Sequence, residues 1–265
     1  MLFRSDVHHQ VGKTGKITPR AVMSPVVLAG TTVQHATLHN YGRILDAATE
    51  EETTRTDIRI GDTVWVEKAG EIIPQVVGVT LAARPKNAAR IEPPSRCPEC
   101  DGPVEIDPPE AADSPSLETS RRCMNPECPA QVREKLIWFA GRKQMDIEGL
   151  GEKTIDQIIA HGEIPLRTFA DIFRLHEHRD ALVGIDRMGE KEVDKLLKGI
   201  EAAKSRGLSS VLAGMGIRHV GDTTARMLAK RFSGYDALMQ APEAALRPKS
   251  LSKEEARTQI GRAHV

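Results

Sequence analysis

The residues with the clearest chemical potential are four cysteines, which are the only cysteines in the chain. They form two close pairs, C-P-E-C and C-M-N-P-E-C, separated by a long insert. Two such pairs offer four thiolates to one tetrahedral zinc ion, and their proline-containing turns can aim backbone N–H groups at the sulfurs. We therefore predict a zinc site formed by Cys97, Cys100, Cys123 and Cys128.

The predicted zinc is structural, because four thiolates leave no position open for a catalytic water. The alternative interpretations are two disulfides or idle thiols. Disulfides are typical of exported proteins, and the opening residues, MLFRSDVHH, contain no apolar core of a signal peptide. Reduced cysteines without an export signal lead us to expect a cytoplasmic protein.

Overall composition limits which functions can be argued from charge alone. The 265 residues have room for about two domains, and the formal net charge is zero. Aromatic residues make up only 3%, which argues against a surface that stacks single-stranded bases. No apolar run is long enough to span a membrane. A nucleic-acid partner would therefore be held through its backbone.

Charge is distributed unevenly around the cysteines. Within the insert between the two pairs, residues 105–118 combine acidic side chains with prolines, so we predict a mobile acidic loop there. A basic stretch follows from Arg121 to Lys143 and spans the second cysteine pair.

The elements before the cysteines, in residues 6 to about 92, are short and strand-like. Turn signals such as Ser24-Pro25 separate them, and Leu38–Ala48 is predicted to contain one short helix that begins near Asn40. Such a pattern indicates a small closed barrel of the OB type, with an SH3-like barrel or a small sandwich as open alternatives. The predicted strands are Val7–Val11, Thr18–Met23, Val26–Leu28, Thr31–Ala36, Thr63–Lys68 and Ile72–Leu81.

Two turns of this region could contact a ligand. Gly12-Lys13-Thr14-Gly15 and Lys68-Ala69-Gly70-Glu71 each place a lysine on a glycine-containing turn. Glycine lets the backbone approach a ligand closely, and lysine can neutralise a phosphate. On composition alone both turns are also consistent with solvated loops, and the spacing of a Walker A loop is absent.

The region after the cysteines repeats one pattern three times, beginning at Ile147, Ile185 and Ile217. Each copy reads apolar, two other residues, apolar, glycine, an acid and then a helical apolar stripe, with another helix-like run upstream. We predict that each copy is a tight hairpin that opens a helix at its glycine.

The repeated geometry suggests that the protein binds phosphates. A glycine would allow a turn that side chains would block, and the helix after it presents free N–H groups and a positive dipole end. Several copies could follow both strands of a duplex through its minor groove. The acids Glu152, Glu190 and Asp222 lie where an anion would come, and we expect them to cap the helix starts instead. For a single copy, a plain αα-hairpin would be the simpler interpretation.

Taken together, these pieces resemble the C-terminal part of a bacterial NAD-dependent DNA ligase. The resemblance covers nearly the whole chain and rests on several segments that are jointly specific. They are Gln10–Gly15, Ala36–Asn40, Arg59–Asp62, Lys68–Val77, Met145–Gly151 and Gly216–Gly221.

The resemblance implies a multidomain α+β fold with a small OB-type β-barrel, a four-cysteine zinc finger and an all-α helix-hairpin-helix domain. We assign these to residues 6–92, 93–130 and 131–259. Residues 1–5 and 260–265 look foreign, so we expect a fragment cut at both ends.

In this family the lysine of a K-x-D-G motif is adenylated by NAD, AMP passes to the 5′-phosphate at a nick, and the 3′-hydroxyl displaces it. No K-x-D-G occurs in this chain. The resemblance therefore implies an adenylation domain earlier in the same polypeptide, with NAD and Mg serving the full-length enzyme only. The fragment is expected to clamp nicked double-stranded DNA for replication and repair, without catalytic residues of its own.

By resemblance, Lys13 and Thr14 match a turn that touches DNA near the nick, and Lys68 matches a second basic position. Both lysine positions usually carry arginine in the family, so charge is kept but a bidentate grip is lost. The complete set of predicted DNA contacts is Lys13, Thr14, Lys68, Gly149, Gly151, Gly189, Gly216 and Gly221.

Another class of function also fits the residues. The chain could be a stand-alone DNA-binding module of a repair or recombination protein, which an upstream adenylation domain would exclude. A purely structural zinc protein is disfavoured by the threefold repeat.

Overall fold

The computed structural model of the chain describes residues 6–50, 54–70, 73–107, 120–217, 219–242 and 245. The predicted foreign ends and residues 108–118 of the predicted acidic loop lie outside the described residues.

The first half of the described chain is a β-structure with one short α-helix, α1 (Tyr41–Leu45), and a 3-10 turn at Leu81–Ala83. Among the described residues, nine strands form one sheet in the order β10-β11-β2-β3-β8-β4-β5, with β1 on β2 and β7 on β8, while β6 pairs with β9 separately. The strands are β1 (Asp6–Val11), β2 (Lys16–Leu28), β3 (Thr31–Thr37), β4 (Ala47–Thr49), β5 (Arg55–Thr56), β6 (Arg59–Ile60), β7 (Val64–Ala69), β8 (Ile73–Val79), β9 (Ala89–Arg90), β10 (Val104–Asp107) and β11 (Ser120–Cys123).

The long strand β2 organises the sheet. Its alternate residues from Ile17 to Met23 are buried, as the twofold period of a strand requires. The predicted turn at Ser24-Pro25 is wrong, because β2 continues through it. The register against β3 shifts between Val22 and Val26, and this bulge accommodates a proline that cannot donate to the ladder.

Helix α1 begins where the sequence indicates and ends earlier. The Asn40 side chain caps it by accepting a hydrogen bond from the N–H of Arg43 at 2.8 Å. The helix stops at Leu45 because Ala47 starts β4, which pairs in parallel with β8 and antiparallel with β5. Strand β4 was not predicted.

The cysteine-bearing segment continues the barrel sheet. Strand β11 pairs antiparallel with both β10 and β2, and the N–H of Cys123 donates to the carbonyl of Gly15 at 2.9 Å. The prediction of a mobile loop from residue 105 is wrong for its first residues, since Glu105 and Asp107 lie in β10. Asp107 accepts a hydrogen bond from Arg122 at 2.8 Å, so opposite charges join these two strands.

The second half of the described chain is helical. Its main core is built around fully buried aliphatic residues such as Ile155, Ile172 and Leu182, and a smaller cluster joins the last helices. The helices are α2 (Pro129–Ala140), α3 (Glu152–His161), α4 (Phe169–Arg174), α5 (Arg179–Val183), α6 (Glu190–Ala203), α7 (Leu208–Gly214), α8 (Asp222–Arg231) and α9 (Tyr235–Met239).

Part of the basic stretch is neutralised inside the protein. Arg133 on α2 donates to Asp156 and Glu152 on α3, with nitrogen–oxygen distances between 2.5 and 2.7 Å. The hydrogen bonds with Asp156, and to a smaller extent with Glu152, raise the pKa of Arg133 above its usual value. Arg133 therefore ties two helices together and is not free to hold an anion.

Among the described residues, no helix combines the length and the apolar character that crossing a membrane requires.

Candidate metal centre and nucleic-acid interface

The four cysteines come together as their spacing predicts. Their sulfurs all lie within 4.8 Å of one another, with Cys97 to Cys128 at 3.9 Å and Cys100 to Cys123 at 3.6 Å. A tetrahedral ion with metal–sulfur bonds of about 2.3 Å needs sulfurs about 3.8 Å apart. All four cysteines are free, and the sulfur separations exceed the roughly 2.05 Å of a disulfide. The cluster can hold a metal ion.

The electrostatics of the cluster favour a bound cation. Burial raises the pKa of Cys123 to about 12 and also raises that of Cys128. At Cys100 burial acts in the same direction, but hydrogen bonds from the Asn125 side chain and the Gly102 backbone outweigh it and lower the pKa to about 7. Four neighbouring thiols would not ionise together unaided, and a divalent ion bound there would supply the compensating positive charge.

Each copy of the repeat folds as a hairpin followed by a helix, as predicted. Gly151, Gly189 and Gly221 are the N-caps of α3, α6 and α8. The third residue of each copy has a left-handed backbone, with φ of 86° at Gly149, 63° at Arg187 and 67° at His219. The three copies therefore share a left-handed residue at this position, although only one of them has glycine there.

We predicted glycine at these N-cap positions because side chains would block the turn, and this reason is wrong. Their φ values are −86°, −70° and −92°, which any residue adopts, and a Cβ at Gly151, Gly189 or Gly221 would meet nothing within 4 Å. All three are exposed. Nothing in the described protein requires glycine there, so the space in front of these helix starts is open to a ligand.

The acids after the glycines do not cap the helices. No side-chain cap is formed at α3, α6 or α8. Glu152 instead accepts a hydrogen bond from Arg133 at 2.7 Å. The carbonyls of Gly151 and Gly221 accept from the N–H groups of Ile155 and Ala225, and that of Gly189 accepts from both Glu192 and Val193. The first N–H groups of a helix have no intrahelical acceptor.

Four of the predicted DNA contacts line one cleft of about 660 Å³ between the barrel and the helices. Lys13 and Thr14 come from the barrel turn, and Gly216 and Gly221 come from the third hairpin. Further cationic side chains that sequence reasoning did not assign to the site line the same cleft, namely Lys16 and Arg122. The fold therefore joins turns that are about two hundred residues apart in the chain.

Within this cleft the Lys13 ammonium is already engaged. Its Nζ lies 2.9 Å from the ring centroid of Trp138, a cation–π contact, and burial lowers the pKa of Lys13. The Trp138 Nε1 in turn donates to the carbonyl of Ala213 on α7 at 2.9 Å. Sequence reasoning missed Trp138, because a tryptophan on an amphipathic helix looks like an ordinary core residue.

The other predicted contacts lie elsewhere. Lys68 is on β7, where its Nζ donates to the Thr31 hydroxyl at 2.6 Å. Gly149 and Gly151 line a second groove, beside α6. Gly149 also has a structural reason to be glycine, since a Cβ there would lie 3.2 Å from the Cα of Leu196.

Comparisons with known proteins agree with this architecture. The NAD-dependent DNA ligase OB-fold domain matches residues 5–88, and a helix-hairpin-helix motif matches residues 210–248. A DNA ligase of Brevibacillus brevis is 44% identical over 88% of this chain. DNA ligases of Exiguobacterium sibiricum and Geobacter metallireducens are each 45% identical, over 89% and 91% of it.

The chain spans about a third of the length of these relatives, 32% for the first two and 33% for the third. The match to the barrel confirms the predicted OB fold, and the motif match covers the last of the three hairpins. Residues 5–88 therefore belong to the OB-fold domain family of NAD-dependent DNA ligases, and the chain as a whole corresponds to a part of proteins named DNA ligase.

Proposed function

We propose that this chain is the DNA-binding portion of an NAD-dependent DNA ligase and clamps nicked double-stranded DNA for phosphodiester bond formation in replication and repair. The observation that carries this proposal is the open space in front of Gly151, Gly189 and Gly221. The helices that begin after these three glycines have exposed starts without a side-chain cap. Such starts can bind phosphate groups, since free N–H groups and the helix dipole both favour an anion.

The match to relatives named DNA ligase favours this function over a stand-alone repair or recombination module. We further propose that the chain does not join DNA by itself, because K-x-D-G is absent from its 265 residues. NAD and Mg would then act with an adenylation domain that belongs to the same polypeptide. The domain limits 6–92, 93–130 and 131–259 remain proposals, and the barrel sheet crosses the first of them.

We propose zinc as the ion of the cysteine cluster. Four thiolates in a closed tetrahedron are the donor set that structural zinc prefers. Backbone hydrogen bonds from Gly102, Asn125 and Gln131 to the sulfurs support the thiolate form. The role is structural, and the four free thiols suit the reducing cytoplasm that we propose as its location.

Replacing the N-cap glycines by serine tests the DNA proposal. Serine is a favourable N-cap, so Gly151→Ser, Gly189→Ser and Gly221→Ser should leave the folded helices intact. The new side chain fills the open space and competes for the N–H groups. Each variant should weaken binding to nicked duplex about tenfold, the equivalent of losing one hydrogen bond to a charged group at about 1.5 kcal/mol.

Gly234→Ser is the matched control, because Gly234 is the N-cap of α9 and a Cβ there also meets nothing within 4 Å. Affinity is measured by fluorescence anisotropy across a salt series, with circular dichroism to verify folding. Equal affinity of the three repeat variants and the control would remove the hairpins from the interface. Wild-type binding that does not depend on salt would contradict backbone recognition altogether.

A further inference from the structure

A further concave site lies between the end of α2 and the starts of α7 and α8, and we call it the basic pocket. Its volume is about 300 Å³. It is lined by four cationic side chains, two serine hydroxyls and one carboxylate. The lining residues are Arg142, Lys143, Arg206, Ser209, Ser210, Ala213, Asp222 and Arg226.

The cations of the basic pocket are poorly matched inside the protein. Among the described residues, no ion pair joins Arg142, Lys143 or Arg226 to a carboxylate. Within the described ranges, the one hydrogen bond that Arg226 donates goes to the backbone carbonyl of Asp222, at 3.2 Å. Among the described residues, Asp222 lines the pocket and Asp146 pairs with Arg206, so the positive charges there outnumber the negative ones.

Arg206 adds an unsatisfied donor to the same site. Its Nη1 reaches Asp146 at 3.4 Å, a long hydrogen bond. Its Nε is buried and has no hydrogen-bond partner among the described residues. An unpaired buried donor is unfavourable, so the guanidinium of Arg206 is incompletely satisfied by the described protein.

The chemistry of the lining selects a phosphate group. Arginine forks and serine hydroxyls all donate hydrogen bonds to oxyanions. The pocket has no aromatic side chain on which a base could stack, and its volume suits a phosphate with part of a sugar. Asp222 directly follows Gly221, so the pocket lies beside the third hairpin.

We propose that the basic pocket binds one backbone phosphate of the duplex through the side chains of Arg142, Lys143 and Arg226. This inference rests on the proposed function that the chain holds duplex DNA. It adds a side-chain site to the backbone N–H sites of the hairpins. The pocket would anchor the sugar-phosphate strand where it leaves the third hairpin, and it would contribute to affinity without reading sequence.

The test removes two charges from the pocket of the full 265-residue chain. The double variant Lys143→Gln/Arg226→Gln is compared with Lys86→Gln/Arg174→Gln, which removes one lysine and one arginine outside the pocket. Binding of nicked duplex is measured from low to high salt. The pocket variant should reduce the slope of log affinity against log salt by about 1, the value for one phosphate, and the control should retain the wild-type slope.

A second measurement identifies the source of the phosphate without DNA. Thermal midpoints are compared in sodium phosphate and sodium chloride at equal ionic strength, because a ligand of the folded state raises the midpoint. Phosphate should stabilise the wild type and the control, but not the pocket variant. If that difference appears while the DNA slope is unchanged, the pocket takes free phosphate and its assignment to the duplex backbone is overturned.

An unchanged slope together with unchanged phosphate stabilisation would overturn the basic pocket as an anion site. Failure of the proposed function looks different. In that case the wild type itself would not bind duplex, and the phosphate measurement alone would decide whether the pocket binds the anion.

Discussion

Removing the metal should damage more than the cysteine segment, because that segment is part of the barrel sheet. Strand β11 leads directly into the second cysteine pair and is held on β2 through Arg121 opposite Ile17 and Arg122 opposite Lys16. Cys123 adds a hydrogen bond to Gly15. Chelation of the ion should therefore release β11 from β2 as well as unfold the two cysteine turns.

The expected size of the effect follows from these contacts. Structural zinc sites contribute roughly 10–16 kcal/mol of apparent binding free energy, which exceeds the stability of most domains. The cysteine turns should therefore unfold completely. The barrel would lose a few hydrogen bonds at about 1 kcal/mol each. A loss of about 2–3 kcal/mol lowers the melting temperature of a domain of about 100 residues by roughly 10–20 °C.

Metal content is measured by mass spectrometry before and after treatment with a chelator. Amide hydrogen exchange then reports the loss at Ile17 on β2, and at Cys123 itself. Readdition of equimolar zinc should restore protection, which separates metal loss from chelator artefacts. Protein that is demonstrably metal-free, yet retains its melting temperature and its protection on β2, would refute the coupling of the cluster to the barrel.

Three further outcomes are expected. Gly15→Ala should destabilise the barrel in a chemical denaturation series, because Gly15 has a φ of 77° and a Cβ there would lie 2.4 Å from the carbonyl oxygen of Cys123. Gly12→Ala should have no such effect, because a Cβ at Gly12 would lie 3.8 Å from its nearest neighbour. Burial lowers the pKa of His9 below 6.5, so folding favours the neutral form of its ring. The melting temperature of the wild type should therefore fall as pH drops below about 6.5, and that of His9→Gln should fall less. A wild-type melting temperature that does not change with pH would contradict this. In a protein with Trp65→Phe, the further change Lys13→Met should shift the fluorescence emission of Trp138. An unchanged emission spectrum would exclude contact between Lys13 and Trp138.

Several features were predictable because they depend on neighbours in sequence. The spacing of Cys97 and Cys100 brings two sulfurs to one side of a turn, whatever surrounds it. Asn40 caps α1 through a bond to a residue three positions later. The starts of the repeated helices could likewise be read from glycine followed by an apolar stripe.

The missed features depend on residues distant in the chain. Pro25 is a turn signal by itself, yet strand β3 holds it in an extended strand through a bulge. The cation–π contact of Lys13 with Trp138 of α2 joins residues that are far apart in the chain, and no local pattern indicated it. The acids of β10 read as loop residues, although pairing with β11 makes them part of the sheet.

The sequence by itself indicated the clustering of the four cysteines and the hairpin-led helices, since spacing and periodicity act over a few residues. Only the tertiary structure decided that β11 joins the barrel, that Lys13 contacts Trp138, and that four cations meet in the basic pocket. Packing sets such contacts between segments whose separation along the chain carries no local signal.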